Sequence, residues 1–427
     1  MSITLTNEQM YFMTLVQEGK NVLVDACIGS GKTTVIQELC NRLGRRKKNE
    51  RPKILYLTYN TLLKHDAKDR IHRSNVTVTN YHGYASKCLR DVNISCGKNE
   101  LISKFNKVKP VKHYDVLVID EYQDIDTEIS QMLEIIKEQN PEIQIIAVGD
   151  MEQKIYDKTS LDVTHFITHY LGEYEQVYFT NCFRINSEHA KFLSCVWNKQ
   201  IQGVNSNCIV EYMSFEDTFD FLSKQNVEDV LCLGKKTGLM SEMLNKLEES
   251  CPRIYNKHTV YATITDEGEG ISSDMVNNLK KSAIFTTYDR SKGLERRVCV
   301  VFNFTEEYWE TRSRQDGTKY EILRNLFCVA ASRGKEHIIF VSGQEYTRRG
   351  IKSIKNFRML SEETLSTPFE MCKDFKYPFN MSTMFDFKYK EDIEECFSCI
   401  KTKPIEENKQ EIINIKSHDG FIDLSHV

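Results

Sequence analysis

The 427-residue sequence is informative first through what it lacks. No apolar run approaches the roughly 18 residues that a membrane-crossing helix needs, which excludes a helical membrane protein. The first residues, Met1-Ser2-Ile3-Thr4-Leu5-Thr6, show no basic end followed by an apolar stretch. The reading is therefore no signal peptide, a cytoplasmic location and no membrane partner. Neither sign of charge dominates: 57 basic and 61 acidic residues leave a net charge of −4. There is no global positive field, so any nucleic-acid binding must come from local patches. Fourteen cysteines are present, yet the only CxxC, Cys396/Cys399, has no second pair at zinc-ligand spacing. Scattered unpaired cysteines fit a reducing compartment. There is no internal repeat and no long low-complexity segment. What remains, 40% apolar and 28% charged residues, is an ordinary globular composition, long enough for two or three domains of about 150 residues each.

Within that composition, short β-rich runs alternate with helical patterns. Strands are expected at 21–25, 54–59, 76–79, 115–119, 144–148 and 176–180. A second series is expected at 229–233, 283–287, 299–304 and 337–341. These runs of Val, Ile, Leu and Phe lack clean polar alternation, as strands buried on both faces do. The stretch 127–138 sets Ile129, Met132, Leu133 and Ile136 on one helical face, and 237–249 reads as another helix. Strand–helix alternation argues for an α/β fold with parallel sheets. Loops are expected at 202–207 and 266–270.

The sharpest signal is Ala26-Cys27-Ile28-Gly29-Ser30-Gly31-Lys32-Thr33, between a strand and a helix. That context marks a P-loop. Gly29 and Gly31 let the backbone wrap an anion, and the N–H groups around Ser30 with the helix N-terminus bind phosphate. Lys32 supplies a point charge toward the β/γ-phosphates, and Thr33 can ligate Mg²⁺. About ninety residues on, the apolar strand Val116-Leu117-Val118-Ile119 delivers Asp120 and Glu121 to its C-terminal end, where ligands bind in open α/β sheets. Alone, a strand ending in Asp-Glu is more often a helix N-cap. After a P-loop, Asp120 becomes a Mg²⁺ holder and Glu121 the base that activates water. The expected ligands are ATP and Mg²⁺.

Further motifs follow in chain order: Leu5-Thr6-x-x-Gln9; Asp120-Glu121-Tyr122-Gln123-Asp124; Gly149-Asp150-x-x-Gln153-x-Ile155-Tyr156; Asn181-Cys182-Phe183-Arg184; Thr287-x-x-x-x-Lys292-Gly293-Leu294-Glu295; and Ala331-Ser332-Arg333-Gly334-Lys335-Glu336. With the P-loop, they resemble the UvrD/Rep-like helicases of superfamily 1 over roughly four-fifths of the chain. The resemblance implies two RecA-like P-loop NTPase cores with ATP between them. Residues 1–200 would form the first, with a small insertion near 85–113. Residues 201–350 would form the second, with Arg184 near the junction, and 351–427 would be an extension of unassigned role. Gln9 would read adenine, Phe183 would stack on it, and Thr34 stands where the family has an adenine-stacking Arg. Gln153 would sense the γ-phosphate. Arg184 and Arg333 would neutralise its charge, and Glu295 would belong to the nucleotide site. The single-strand track would include Thr58, Tyr59 and Asn60, then Tyr81 and His82, and Lys292.

Departures from the family pattern matter. Motif III lacks its Trp-Arg-Gly continuation, and Asp289 stands where His is usual. Only some thirty residues are left for the second accessory domain, so the chain reads as a stripped-down motor that unwinds duplex poorly alone. The resemblance implies an ATP-dependent translocase or helicase moving 3′→5′ on single-stranded DNA. Two alternatives are a regulatory ATPase controlling a partner nuclease or effector, as in antiphage systems, and an RNA helicase, since backbone and stacking contacts barely distinguish the sugars.

Overall fold

The structure is a computed structural model, described here over residues 4–45, 51–59, 61–71, 73–110, 112–155, 161–197, 199–235, 238–262, 279–302, 320–342, 344–347 and 350–353. The described residues divide into two compact units at the Thr180/Asn181 junction.

The first unit opens with helix α1 (Asn7–Gln17), started by a capping box between Thr6 and Gln9. Strands β1 (Val22–Ala26), β2 (Ile54–Thr58), β3 (Val76–Asn80), β4 (Val116–Asp120), β5 (Gln144–Gly149) and β6 (Glu175–Phe179) form one sheet in the order β3-β2-β4-β5-β1-β6. Every pairing in it is parallel. Central strands β2 and β4 are buried at every position, which is why their sequences show no alternation. Helix α2 (Lys32–Leu43) turns Val35, Ile36, Leu39, Cys40 and Leu43 onto one sheet face. Each fully buried aliphatic side chain of that kind contributes roughly 1.5–3 kcal/mol. Helices α3 (Thr61–Arg70), α4 (Tyr81–Asp91), α5 (Leu101–Val108), α6 (Thr127–Gln139) and α7 (Val163–Leu171) complete the unit. Helix α6 buries the four residues its spacing predicts, and Asp126 caps it by accepting from the Ile129 N–H at 2.8 Å. The stretch near 85–113, expected to be a small insertion, holds the end of α4 and then α5, and the Tyr84 and Phe105 rings of these helices lie 5.7 Å apart.

The second unit contains β7 (Asn181–Cys182), α8 (Ser187–Trp197), β8 (Gln202–Gly203), β9 (Ile209–Ser214), α9 (Phe215–Leu222), β10 (Val230–Gly234), α10 (Leu239–Ser250), β11 (Val260–Ala262), β12 (Ala283–Thr287), β13 (Arg296–Val301), α11 (Tyr320–Ala330) and β14 (Gly334–Ser342). Its sheet runs β11-β12-β10-β13-β14-β9, again wholly parallel. A small antiparallel pair, β15 (Gln344–Thr347) and β16 (Gly350–Ser353), follows. The two-core α/β architecture read from the sequence is thus what the chain adopts.

The junction falls twenty residues before the expected boundary at 200. The reason is pairing: β7 pairs with β8, inside the stretch expected to be a linking loop. The Trp197 indole also donates to Asn325 of α11 at 3.1 Å, so α8 belongs to the second unit. The loop expected at 266–270, Cys396/Cys399 and the extension beyond residue 353 lie outside the described residues. Cys27, Cys40, Cys88, Cys182, Cys208, Cys232, Cys299 and Cys328 are free and buried, and Cys96 and Cys251 are free and half-buried. Among the described residues no helix is long and apolar enough to cross a membrane.

Candidate active site

A wholly parallel sheet brings all strand C-termini to one edge. In the first unit that edge carries the P-loop after β1, Asp120 and Glu121 at β4, and Asp150 after β5. The P-loop turns through Gly29 at φ +61° and Gly31 at φ +79°, left-handed positions that suit glycine. Gly31 is the N-cap of α2, and Lys32, Thr33 and Thr34 form its first turn. Lys32 is buried, and Thr33 and Thr34 are half-buried. Gln9 holds the loop from below. Its Nε2 donates to the Ser30 carbonyl at 2.9 Å, and its Oε1 accepts from the Thr6 N–H at 3.0 Å. The glutamine expected to read adenine thus gives one amide N–H to the phosphate loop and one oxygen lone pair to the cap.

Among the described residues, the buried polar atoms that lack a hydrogen-bond partner include Ser30 Oγ and Asp120 Oδ1 on this edge. Leaving such atoms unpaired is costly, and it fits a site built to receive phosphate and a divalent cation. Thr33 and Asp120 fit as holders of Mg²⁺, a hard cation that prefers oxygen ligands. Burial first, and then the neighbouring Glu121, push the Asp120 carboxyl above its ordinary range; the Tyr56 hydroxyl and Lys32 work against that shift. Tyr56 in β2 donates to Asp120 Oδ2 at 2.9 Å.

Glu121 takes a left-handed conformation, φ 59° and ψ 50°. For a residue with a side chain this is strained, and such strain collects at functional positions. A chain of side-chain bonds runs from it. Gln123 donates through Nε2 to the Glu121 carboxylate and accepts the Asp150 N–H on Oε1 at 3.0 Å. Gln153 donates to Asp150 Oδ2 at 2.6 Å. Glu121 and Gln153, separated by 32 positions in the sequence, are thereby linked through two buried residues, Gln123 and Asp150. Asp25, Asp150 and Glu152 also bring carboxylate oxygens within 4.8 Å of one another, a grouping the sequence reading did not anticipate.

The expected single-strand track is only partly supported. His82 is exposed and Tyr59 half-buried. Tyr81, by contrast, is 2% exposed and packs in the core with Tyr84, Phe105 and Leu117. A ring enclosed there cannot stack on a base, so Tyr81 is corrected to a core residue. Thr58 is also fully buried. Asn60 and the stretch from Tyr156 to Thr159 lie outside the described residues.

In the second unit the motif residues engage one another. Arg184 donates from Nη1 to the Ser332 carbonyl at 3.1 Å and from Nη2 to Glu295 at 2.5 Å. Lys335 pairs with the other Glu295 oxygen at 2.5 Å. Burial would raise the Glu295 carboxyl, but Arg184 and Lys335 outweigh it and hold it down at about 2. Arg333 is buried, and its Nε donates to the Val329 carbonyl in the last turn of α11 at 2.8 Å. Asn205 donates to the carbonyls of Arg184 (2.9 Å) and Lys335 (2.6 Å). His189, fully buried, meets the Ala331 carbonyl at 2.7 Å; burial drives its pKa down to about 4 against that hydrogen bond. Lys292 is half-buried, and the Phe183 ring is 47% exposed, open to stacking.

Sequence reasoning missed Tyr56, Asn205 and His189. Tyr56 left a signal: a phenol within Ile54-Leu55-Tyr56-Leu57 must find a hydrogen-bond partner when its strand is buried. The other two partnerships join segments distant in the chain, and nothing local announces them.

Residues 10–159, about a third of the chain, match a family model described as an AAA domain (AAA_19). A search of curated protein sequences returns no match. Solved structures similar to this chain include the Pif1 helicase from Candida albicans (12% identity, TM-score 0.44, 83% of this chain and 98% of that one). The helicase MrfA bound to DNA is another (13% identity, TM-score 0.47, 92% and 58%). A third is the arterivirus nonstructural protein 10 helicase (12% identity, TM-score 0.38, 78% and 61%). The chain spans about three-fifths of the length of the last two. The AAA-domain match of residues 10–159 falls on the same stretch that carries the P-loop and the Asp120-Glu121 pair.

Proposed function

We propose that the protein is an ATP-hydrolysing translocase or helicase that moves 3′→5′ on single-stranded DNA. The observation that carries the ATPase part is the pair of buried, unpartnered oxygens, Ser30 Oγ and Asp120 Oδ1, on the sheet edge that also bears Lys32 and Glu121. The 3′→5′ direction rests on family resemblance alone, in that residues 120–124 resemble the DExQD box of the UvrD/Rep-like branch.

In this reading the P-loop N–H groups and Lys32 hold the phosphates. Thr33 and Asp120 hold Mg²⁺, which supplies positive charge to the phosphate oxygens. Glu121 accepts a proton from the attacking water, whose oxygen bonds to the γ-phosphorus as the bond to the bridging β–γ oxygen breaks. Gln123 orients the Glu121 carboxylate for that transfer through its amide N–H. Gln153, bonded to Asp150, is the γ-phosphate sensor. Arg184 and Arg333 neutralise the developing charge, a contribution of about 10³–10⁵ in rate where an arginine finger operates. Phe183 stacks on adenine, and Glu295 serves the nucleotide site. Tyr59, His82 and Lys292 contact the strand.

The test is the ATPase rate alone and with single-stranded DNA, duplex DNA or single-stranded RNA. It is paired with displacement of a bound block from the 3′ or the 5′ end of a DNA strand. Stimulation by single-stranded DNA and clearance of the 5′ block is the expected result. Lys32→Ala abolishes turnover. Glu121→Gln lowers it about 10²–10⁴-fold while nucleotide binding persists. Full turnover in both variants overturns the site assignment. Turnover indifferent to every nucleic acid overturns the motor reading and favours the regulatory ATPase.

A further inference from the structure

The face of the first sheet that α2 covers carries a buried phenol bonded to a buried carboxylate. Alternation places Val116, Val118 and Asp120 of β4 on one side of the sheet. Val116 and Val118 share a buried cluster with Ile54 and Tyr56 of β2 and with Val35, Leu39 and Cys40 of α2. Tyr56 and Val118 are register partners across β2 and β4. From that position the phenol reaches along the sheet to the strand end, and its hydroxyl donates to Asp120 Oδ2 at 2.9 Å. Both residues are fully buried. Packing alone does not require the hydroxyl, because a phenylalanine ring would fill the same space. The two carboxylate oxygens are thereby made unequal: Oδ2 is occupied, and Oδ1 has no partner.

We propose that Tyr56 is a positioning residue for metal–nucleotide binding, whose hydroxyl occupies one oxygen of Asp120 and leaves the other as a single-oxygen ligand for the cation. This rests on the ATPase reading above. Groups that orient metal-ligating carboxylates affect metal affinity by about 10–100-fold. The arrangement also bears on which cation is accepted. Ca²⁺ takes carboxylates through one or both oxygens, whereas Mg²⁺ demands near-octahedral geometry and compact, single-oxygen contacts. With Oδ2 occupied, Asp120 offers only the second kind. Tyr56 is therefore assigned to discrimination in favour of Mg²⁺ as well as to affinity for it.

The experiment measures binding of a fluorescent ATP analogue to the full chain during titration with Mg²⁺ and, separately, Ca²⁺. Tyr56→Phe is expected to raise the Mg²⁺ midpoint about tenfold. The Ca²⁺ midpoint should rise less or fall, so that selectivity narrows, with metal-free nucleotide binding unchanged. The melting temperature without nucleotide reads any packing cost separately. In an Asp120→Asn background, Tyr56→Phe should produce no further change in either titration. Unchanged midpoints overturn the proposal. So does an equal rise for both metals with an equal loss of metal-free binding, or the same shift in the Asp120→Asn background. A wild-type protein indifferent to divalent metal overturns the ATPase reading together with this one. Metal dependence in the wild type that Tyr56→Phe leaves intact overturns this one alone.

Discussion

The two units share a six-stranded parallel sheet yet treat their motif residues in opposite ways. In the first, the motifs sit at strand C-termini and leave buried oxygens on Ser30 and Asp120 without partners. In the second, motif residues Glu295 and Arg333 flank the N-terminal ends of β13 and β14, and the cations there are engaged: Arg184 and Lys335 on Glu295, and Arg333 on the end of α11. The lesson is that one fold supports two electrostatic states. The first unit is arranged to receive charge from a ligand. The second stores its positive charge on internal anions and carbonyls.

The comparison breaks most visibly at Arg184. Arg184→Ala should lower ATP turnover by about 10³-fold or more, while nucleotide affinity stays within a few-fold. Arg184→Lys should not restore the rate, because a single ammonium cannot match the forked contacts to Ser332 and Glu295. Unchanged turnover would mean that the stored charge of the second unit has no part in the chemistry.

A somewhat smaller effect should appear in acid. His189 is neutral when folded, with its pKa lowered from 6.5 to about 4. The unfolded chain takes up the proton first, so stability falls as pH drops from about 6.5 toward 4 and changes no further from this residue below that. The full difference is on the order of 3 kcal/mol. Melting temperatures across that range should slope less in His189→Gln, which cannot titrate but can still donate to Ala331. Parallel slopes would show that His189 does not set the acid limit of the second unit.

In the first unit, Gln123→Ala cuts the link between Glu121 and Asp150. Misplacing a catalytic group by an ångström can cost about 10²-fold, and a loss of turnover of that order with intact ATP binding is the expected outcome. Steady-state kinetics beside equilibrium nucleotide binding distinguish it from a general defect. The smallest effect sharpens the contrast between two tyrosines. Tyr59→Ala should weaken single-stranded DNA binding by about 1–3 kcal/mol. Tyr81→Leu, which removes the ring, should lower the melting temperature yet leave the DNA affinity of the folded protein unaltered, because that ring is core. Fluorescence anisotropy with a labelled oligonucleotide reads both, and a loss at Tyr81 would return it to the track.

Much of the first unit was legible in the sequence because its signals are local. A β-branched apolar run such as Val116-Leu117-Val118-Ile119 suits a doubly buried strand, and Gly29 and Gly31, without a Cβ, admit the left-handed turn that the phosphate loop takes. In the second unit, β9 was missed. It is an edge strand paired only with β14 and mostly half-exposed, so Glu211 and Tyr212 interrupt the apolar run that marks a central strand. Strand β11 spans three residues, too few to carry a pattern. Tyr81 was misread for the opposite reason. An aromatic at a motif position looks the same in sequence whether it faces a base or the core, and only packing against Tyr84 and Phe105 distinguishes them.

By itself, the sequence determined the α/β class, most strand positions, the phosphate loop and the carboxylate pair. Each of these follows from hydrophobic period, glycine conformation or charge within a few adjacent residues. Only the tertiary structure decided which polar atoms are left open and which are taken. The Tyr56 hydroxyl on Asp120, the Gln123 bridge and the seat of Arg184 on Glu295 join residues 27 to 111 positions apart. Such partnerships arise from strand order and register, which no local stretch of the chain encodes.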